Sequence, residues 1–258
     1  MGLLTMLNEI AHTLDQAAAS ASSVEQISLT KKITLPEAYE IQKLSIEQRL
    51  DRGEKLVGYK MGFTSRAKML QMGVDDLIWG HLTNAMQIEE DQEIDLTKYV
   101  HPRAEPEIAF LLNKPLSGKV TKEEALAAVE AIAPAIEIID SRYQNFKFSL
   151  EDVVADNSSS SGFVIGQWQS KDSNLNGLAM HLTVNNKVVA SGSSNDILDH
   201  PINSLVEAAR CIGAAGEELK AGQIILAGAA TAAVALEPNQ TISANVINLG
   251  SCQFKTKG

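Results

Sequence analysis

Between Leu3 and Leu14 the apolar positions Leu3, Leu4, Leu7, Ile10, Ala11 and Leu14 fall three and four apart. That spacing gathers them on one face of a helix. From Asp15 to Ser23 the chain turns rich in Ala and Ser and the stripe is lost, so the helix is expected to fade there. Thr34-Leu35-Pro36-Glu37 announces a second helix. The threonine can cap the first turn, the glutamate can reach back, and proline is tolerated where an N–H would lack a partner anyway. This helix should pass through Tyr39, Ile46 and Leu50, stop near Gly53, and form with the first an N-terminal cap layer.

The pattern then shortens. Lys55 to Gly62 is brief, glycine-bounded and strand-like, and Glu107 to Leu112, Ala135 to Asp140 and Phe163 to Ile165 read the same way. Leu182 to Val189 reads as a hairpin, because the paired Asn185-Asn186 tolerate the positive φ of a tight turn. Ile224 to Leu226, Ala232 to Leu236 and Thr241 to Asn248 complete a β-rich C-terminal half. Two helices interrupt it. One starts at a second capping box, Thr121-Lys122-Glu123-Glu124, and is expected to end at Pro134. The other spans about Asn203 to Ile212 and closes on Gly213. Helices first, then a mixed and mostly antiparallel sheet system, make the fold class α+β.

Composition narrows the function. With 258 residues, 22 basic and 32 acidic, the net charge is −10 and the mean hydropathy −0.04. No apolar run approaches the ~18 residues that span a bilayer, and no basic stripe offsets the excess acid, so neither membrane nor nucleic acid is an expected partner. Met1 to Thr5 has no basic n-region, so no signal peptide is expected, and Gly2 lacks myristoylation spacing. Cys211 and Cys252 are too few and too distant for a disulfide framework or a zinc site, which fits a cytoplasmic location.

The densest chemistry lies at Glu105-Pro106-Glu107-Ile108-Ala109-Phe110. Residues two apart on a strand share a face, so Glu105 and Glu107 aim two carboxylates the same way while Ile108 and Phe110 point opposite. Glu137 sits inside Ala135-Ile136-Glu137-Ile138-Ile139, a run too apolar for a solvated acid; it must be paired or bind metal. Three carboxylates without histidine make a hard oxygen site suited to Mg²⁺ or Mn²⁺. The plainer alternatives are a solvated strand face for the pair, and an ion pair of Glu137 with Arg142 or Lys60.

Lys60, between Gly58 and Gly62, could stabilise a developing anion or hold a substrate carboxylate, or simply be exposed. Arg142 could clasp a carboxylate or pair with Asp140. The polar stretch Asp156 to Gly162 could position a ligand or be an ordinary turn. A phosphate loop, a serine elbow and a histidine metal set are all absent from the sequence.

Taken in order, Gly58-Tyr59-Lys60-Met61-Gly62-Phe63-Thr64, Gly73-Val74-Asp75, Glu105-Pro106-Glu107-Ile108-Ala109, Pro134-Ala135-Ile136-Glu137, Val154-Ala155-Asp156-Asn157 and Gly222 to Leu226 resemble the 2-hydroxypentadienoate hydratase and 4-oxalocrotonate decarboxylase family, within the fumarylacetoacetase-like superfamily. The resemblance covers nearly the whole chain. It implies a helical cap region at 1–70 and a fumarylacetoacetase-like catalytic domain at 71–258 with a mixed β-sheet or β-roll core. It also implies a Mg²⁺ or Mn²⁺ site at Glu105, Glu107 and Glu137, Lys60 near the substrate oxygens, and Asp156 and Ser159 lining the pocket.

Within the family, the hydratase branch carries an acid at the place of Ile78, where adding water needs a group to orient or deprotonate it. Isoleucine does neither, although Asp76 lies close in sequence. Ile139 to Phe148 also resembles the decarboxylase branch. The resemblance thus implies decarboxylation of 2-oxohex-3-enedioate in bacterial degradation of aromatic compounds, with Ile78 as an apolar wall. The remaining alternatives are a hydratase, an acylpyruvate hydrolase and a non-catalytic partner subunit. Expected partners are a small dicarboxylate, further copies of the chain in a homo-oligomer, and a 2-hydroxypentadienoate hydratase.

Overall fold

A computed structural model describes residues 2–65 and 77–258. Two helices, α1 (Leu3–Ala19) and α2 (Leu35–Asp51), come first. Thr34 and Glu37 form the reciprocal cap that starts α2. The first helix ends at Ala19, within the stretch from Asp15 to Ser23 where its apolar stripe is lost. Asp15 is buried because Arg52 grips both its oxygens, at 2.6 and 2.7 Å, and Ala17 packs inward, so tertiary contact carries the helix past the end of its apolar stripe. Leu3 and Leu4 are exposed.

The strands are β1 (Leu56–Gly62), β2 (Ile78–Thr83), β3 (Gln87–Ile88), β4 (Glu93–Asp95), β5 (Arg103–Leu112), β6 (Val129–Ile139), β7 (Ser160–Ile165), β8 (Gln169–Ser170), β9 (Ala179–Val184), β10 (Lys187–Ser193), β11 (Ile224–Leu226), β12 (Val234–Ala235), β13 (Thr241–Val246) and β14 (Gly250–Lys257). Between them lie α3 (Lys122–Ala127), α4 (Leu150–Ala155) and α5 (Pro201–Ala214). Among the described residues, β2-β1-β11-β5-β6-β7-β3 form one sheet, with β12 added on β5 and β8 on β6. A second sheet runs β10-β9-β13-β14-β4. Pairing is antiparallel except at β1–β11, β3–β7 and β14–β4. The β9–β10 hairpin turns through Asn185 and Asn186, both at positive φ.

The helix expected to reach Pro134 ends at Ala127, with Ala128 as its C-cap. From Val129 the chain is strand, because the β-branched and small apolar residues that follow lie against β5 along its length. Pro134 is accommodated between the segments of β6 that pair with β8 and with β7. The boundary at residue 70 lies outside the described residues; β1, on its N-terminal side, is an interior strand of the larger sheet.

The two faces of β5 and β6 have different fates. Ile108, Phe110, Leu112 and Ile132 pack under α5 with Leu205, Ala209 and Ile212, and Ala104, Ile136 and Ile138 pack against the second sheet through Leu182, Ile242 and Phe254. The opposite face carries Glu105, Glu107 and Glu137 beside Ala109, Ala133 and Ala135. Ala109 and Ala135 pack in turn with Leu82, Met86, Phe163 and Leu226, so the acids sit on a covered face.

Candidate active site

Register brings the acids together. Glu105 on β5 stands opposite Glu137 on β6, and Glu107, two residues along, shares their face. All three are buried, and one carboxylate oxygen of each lies within 4.8 Å of the others. Lys60 comes from β1. Its register partner on β11 is Leu226, which in turn faces Ala109 on β5, so the lysine shares the acidic face. Its Nζ is 3.0 Å from Glu137 Oε2. The ion pair expected as the plain alternative for Glu137 therefore exists, with Lys60 and not with Arg142.

One ammonium does not neutralise three carboxylates. Glu107 Oε2 accepts the Gly228 N–H at 2.7 Å, yet Glu107 Oε1 and Glu137 Oε1 have no hydrogen-bond partner among the described residues. Burial, then Glu137 and Glu105, push the Glu107 carboxyl well above the usual range, against Lys60 and the Gly228 N–H. For Lys60, burial works against the charge, but the facing carboxylates outweigh it and raise its pKa. Orphaned buried oxygens on convergent acids fit a hard divalent cation such as Mg²⁺ or Mn²⁺, which would supply the missing positive charge.

The polar stretch is a built turn. α4 starts with a reciprocal cap between Ser149 and Asp152 and ends at Asp156. Asn157, Ser158 and Ser159 then follow with φ of 50°, 50° and 60°, left-handed at three non-glycine residues in a row. The Asn157 side chain accepts the His81 N–H (2.8 Å) and donates to the His81 carbonyl (3.0 Å), and the Ser158 hydroxyl donates to the Trp79 carbonyl (2.7 Å). The buried Ser159 and Ser160 hydroxyls have no hydrogen-bond partner among the described residues.

Arg142 does not pair with Asp140, whose carboxylate accepts the backbone N–H groups of Val100 and His101. Its guanidinium instead donates to the Asp156 carboxylate (2.5 Å), the Asp156 carbonyl (2.8 Å) and Ser161 Oγ (2.5 Å). Arg142 and Asp156, both expected to bind substrate, thus hold each other. Together they brace the turn, and they line a cavity of about 160 Å³ with Leu14, Ser45 and Arg49 of the helical layer. Burial lifts the Asp156 carboxyl to about 6, although Arg142 pulls the other way.

Ile78 is the register partner of Gly62 on β1 and is buried among Leu7, Ile10, Tyr143 and Val154. Asp76 and the Gly73-Val74-Asp75 motif lie outside the described residues. Sequence reasoning missed Gly228, whose backbone amide serves Glu107; only the small-residue run Ala227-Gly228-Ala229-Ala230 after Leu226 hinted at it. It also missed the clamp that Asn157 makes on β2, a strand with no alternation to announce it.

Residues 63–256 match the model of the fumarylacetoacetate (FAA) hydrolase C-terminal family. A 4-oxalocrotonate decarboxylase from Pseudomonas sp is 56% identical over 98% of both chains. A 2-hydroxyhexa-2,4-dienoate hydratase from Comamonas testosteroni is 34% identical over 87% of both. The solved structure of a 4-oxalocrotonate decarboxylase from Pseudomonas putida G7, complexed with magnesium and adipate, superposes with a TM-score of 0.94 at 33% identity, over 98% of this chain and 97% of that one.

Proposed function

This chain belongs to the fumarylacetoacetate hydrolase family, and we propose that within it the protein decarboxylates 4-oxalocrotonate (2-oxohex-3-enedioate) to 2-hydroxypenta-2,4-dienoate and CO₂. One observation carries the reading: a buried lysine faces three convergent carboxylates in a chain 56% identical, end to end, to an enzyme of that activity. The hydratase relative is more distant at 34%.

The substrate is a vinylogous β-keto acid, because its C6 carboxylate sits on C5, a saturated carbon joined through C3=C4 to the C2 ketone. Breaking the C5–C6 bond releases CO₂ and leaves a dienolate whose negative charge collects on the C2 oxygen. A divalent cation held by Glu105, Glu107 and Glu137 would supply Lewis-acid stabilisation of that charge. Lys60 is kept protonated by its acidic neighbours and donates from Nζ toward the same oxygen, an interaction that strengthens as the charge develops. Protonation at oxygen then gives the dienol. The Ser159 hydroxyl, buried and in need of a partner, contacts the substrate, while Arg142 and Asp156 hold its turn in place. Ile78 offers water no ionisable group and no hydrogen bond, which disfavours hydration at this wall.

The dienol is unstable and is consumed by hydration, so a hydratase is the natural neighbour, and the protein acts as a homo-oligomer beside it. Among the described residues no helix is long and apolar enough to cross a membrane.

The test is direct. Purified protein with 2-oxohex-3-enedioate and Mg²⁺ should release CO₂, and excess chelator should stop it. Consumption of added 2-hydroxypenta-2,4-dienoate without CO₂ release would assign the hydratase reaction instead, and neither activity would leave only the role of a partner subunit.

A further inference from the structure

Among the described residues β2 ends the larger sheet, paired on one side with β1 alone. An open strand edge leaves N–H and C=O groups without partners. Here side chains supply them. The Asn157 carboxamide meets the His81 backbone with one acceptor and one donor, at 2.8 and 3.0 Å, the two-bond exchange that a paired strand residue would make. The Ser158 hydroxyl and Gln42 Nε2 share the Trp79 carbonyl, at 2.7 and 3.2 Å. Gly80, between these anchor points, permits the approach. A Cβ there would meet the Asn157 carbonyl oxygen at 2.5 Å and its Oδ1 at 3.1 Å.

The turn docked in this way is left-handed at Asn157, Ser158 and Ser159. Such a run is unfavourable for L-residues and persists only where its surroundings fix it. Its last residue presents a buried hydroxyl with no hydrogen-bond partner among the described residues. Its docking point is Gly80, the register partner of Lys60. The clamp thus ties the conformation of the Ser159 turn to the strand that flanks the lysine.

We propose that Asn157 is a positioning residue. Its carboxamide acts as a surrogate strand on the free edge of β2 and holds the left-handed turn that sets the Ser159 hydroxyl for the substrate. This rests on the reading of Ser159 as a substrate contact, and deepens it.

The test is a double-mutant cycle on the full chain, with Asn157→Asp, Asn157→Gly, Ser159→Ala and the two combinations. Aspartate keeps the acceptor and loses the donor; glycine loses both but accepts positive φ. Affinity for adipate in the presence of Mg²⁺ is read by calorimetry, with KM and kcat alongside and Mg²⁺ affinity as a separate readout. Each single variant should weaken adipate binding and raise KM about tenfold, the scale of one lost hydrogen bond. The combinations should fall no further than Ser159→Ala alone, and Mg²⁺ affinity should not move. Multiplying losses, or wild-type adipate affinity in a folded Asn157 variant, would overturn the proposal while leaving Ser159 as a contact. A silent Ser159→Ala would remove the contact itself and the proposal with it. Global unfolding of both Asn157 variants would assign the residue to the fold and overturn its positioning role.

Discussion

Lys60 Nζ stands 3.0 Å from Glu137 Oε2, with both side chains sealed from solvent. The pair joins β1 to β6, strands separated in the sheet by β11 and β5. Breaking a buried ion pair ordinarily strands a charge, but the charge left here belongs to a carboxylate cluster built for a cation. Lys60→Met should therefore separate binding from chemistry. Turnover should fall about 10²–10³-fold, the usual cost of removing one donor to a developing oxyanion, while Mg²⁺ binds at least as tightly as before. Steady-state kinetics and a Mg²⁺ titration on the same preparation check both halves.

Glu107 makes the opposite case. Glu107→Gln should abolish metal-dependent turnover and sharply weaken Mg²⁺ binding with the fold intact. In the metal-free protein the substitution should also stabilise, and in a pH-dependent way. Burial and two facing glutamates raise the Glu107 pKa above its ordinary 4.5. The folded state then holds the proton more tightly than the unfolded chain, so this stabilisation is complete below the unfolded value and is lost as pH rises through the folded one. In chelator, wild type should melt progressively lower than Glu107→Gln as pH is raised, and added Mg²⁺ should close the gap. A constant difference across pH would count against the electrostatic account.

Asp156 offers a second titration, away from the three glutamates. Its carboxyl is raised from 3.8 to about 6, chiefly by burial. By the same sign, its contribution favours folding below the unfolded value and is lost between about pH 4 and pH 6. Denaturant unfolding of wild type and Asp156→Asn at closely spaced pH values should show wild type losing ground across that interval by on the order of 3 kcal/mol. The offset from the broken Arg142 contacts is constant with pH and does not enter the slope.

Local pattern made the acids legible but not their meeting. Alternation put Glu105 and Glu107 on one face, and an acid in an apolar run marked Glu137. Their convergence depends on β5–β6 register, a long-range choice that no local spacing encodes. Lys60 arrives through parallel pairing of β1 with a strand far along the chain. The helix assigned through Pro134 failed because Val129, Ala131, Ile132 and Ala133 fit either period and only the neighbour β5 decides between them. Arg142 was visible as a cation beside the site, whereas its pairing with Asp156 needed the return of the chain through α4.

Gly228 provides the narrowest test of how the carboxylates are held. Its φ is +102°, and a Cβ there would overlap the Thr64 side chain, while its N–H fixes Glu107 Oε2. Gly228→Ala must therefore strain the backbone, displace Thr64, or move the amide away from the glutamate. Strain of this kind costs about 1–3 kcal/mol, and loss of an orienting hydrogen bond on a metal-binding carboxylate lowers affinity about 10–100-fold. Adding Thr64→Ala relieves the overlap and leaves the positive φ untouched. Melting temperature should recover in part in the double variant, and Mg²⁺ affinity should recover only as far as the amide returns to Glu107. A Gly228→Ala protein that melts early yet binds Mg²⁺ like wild type would show that the amide does not orient Glu107.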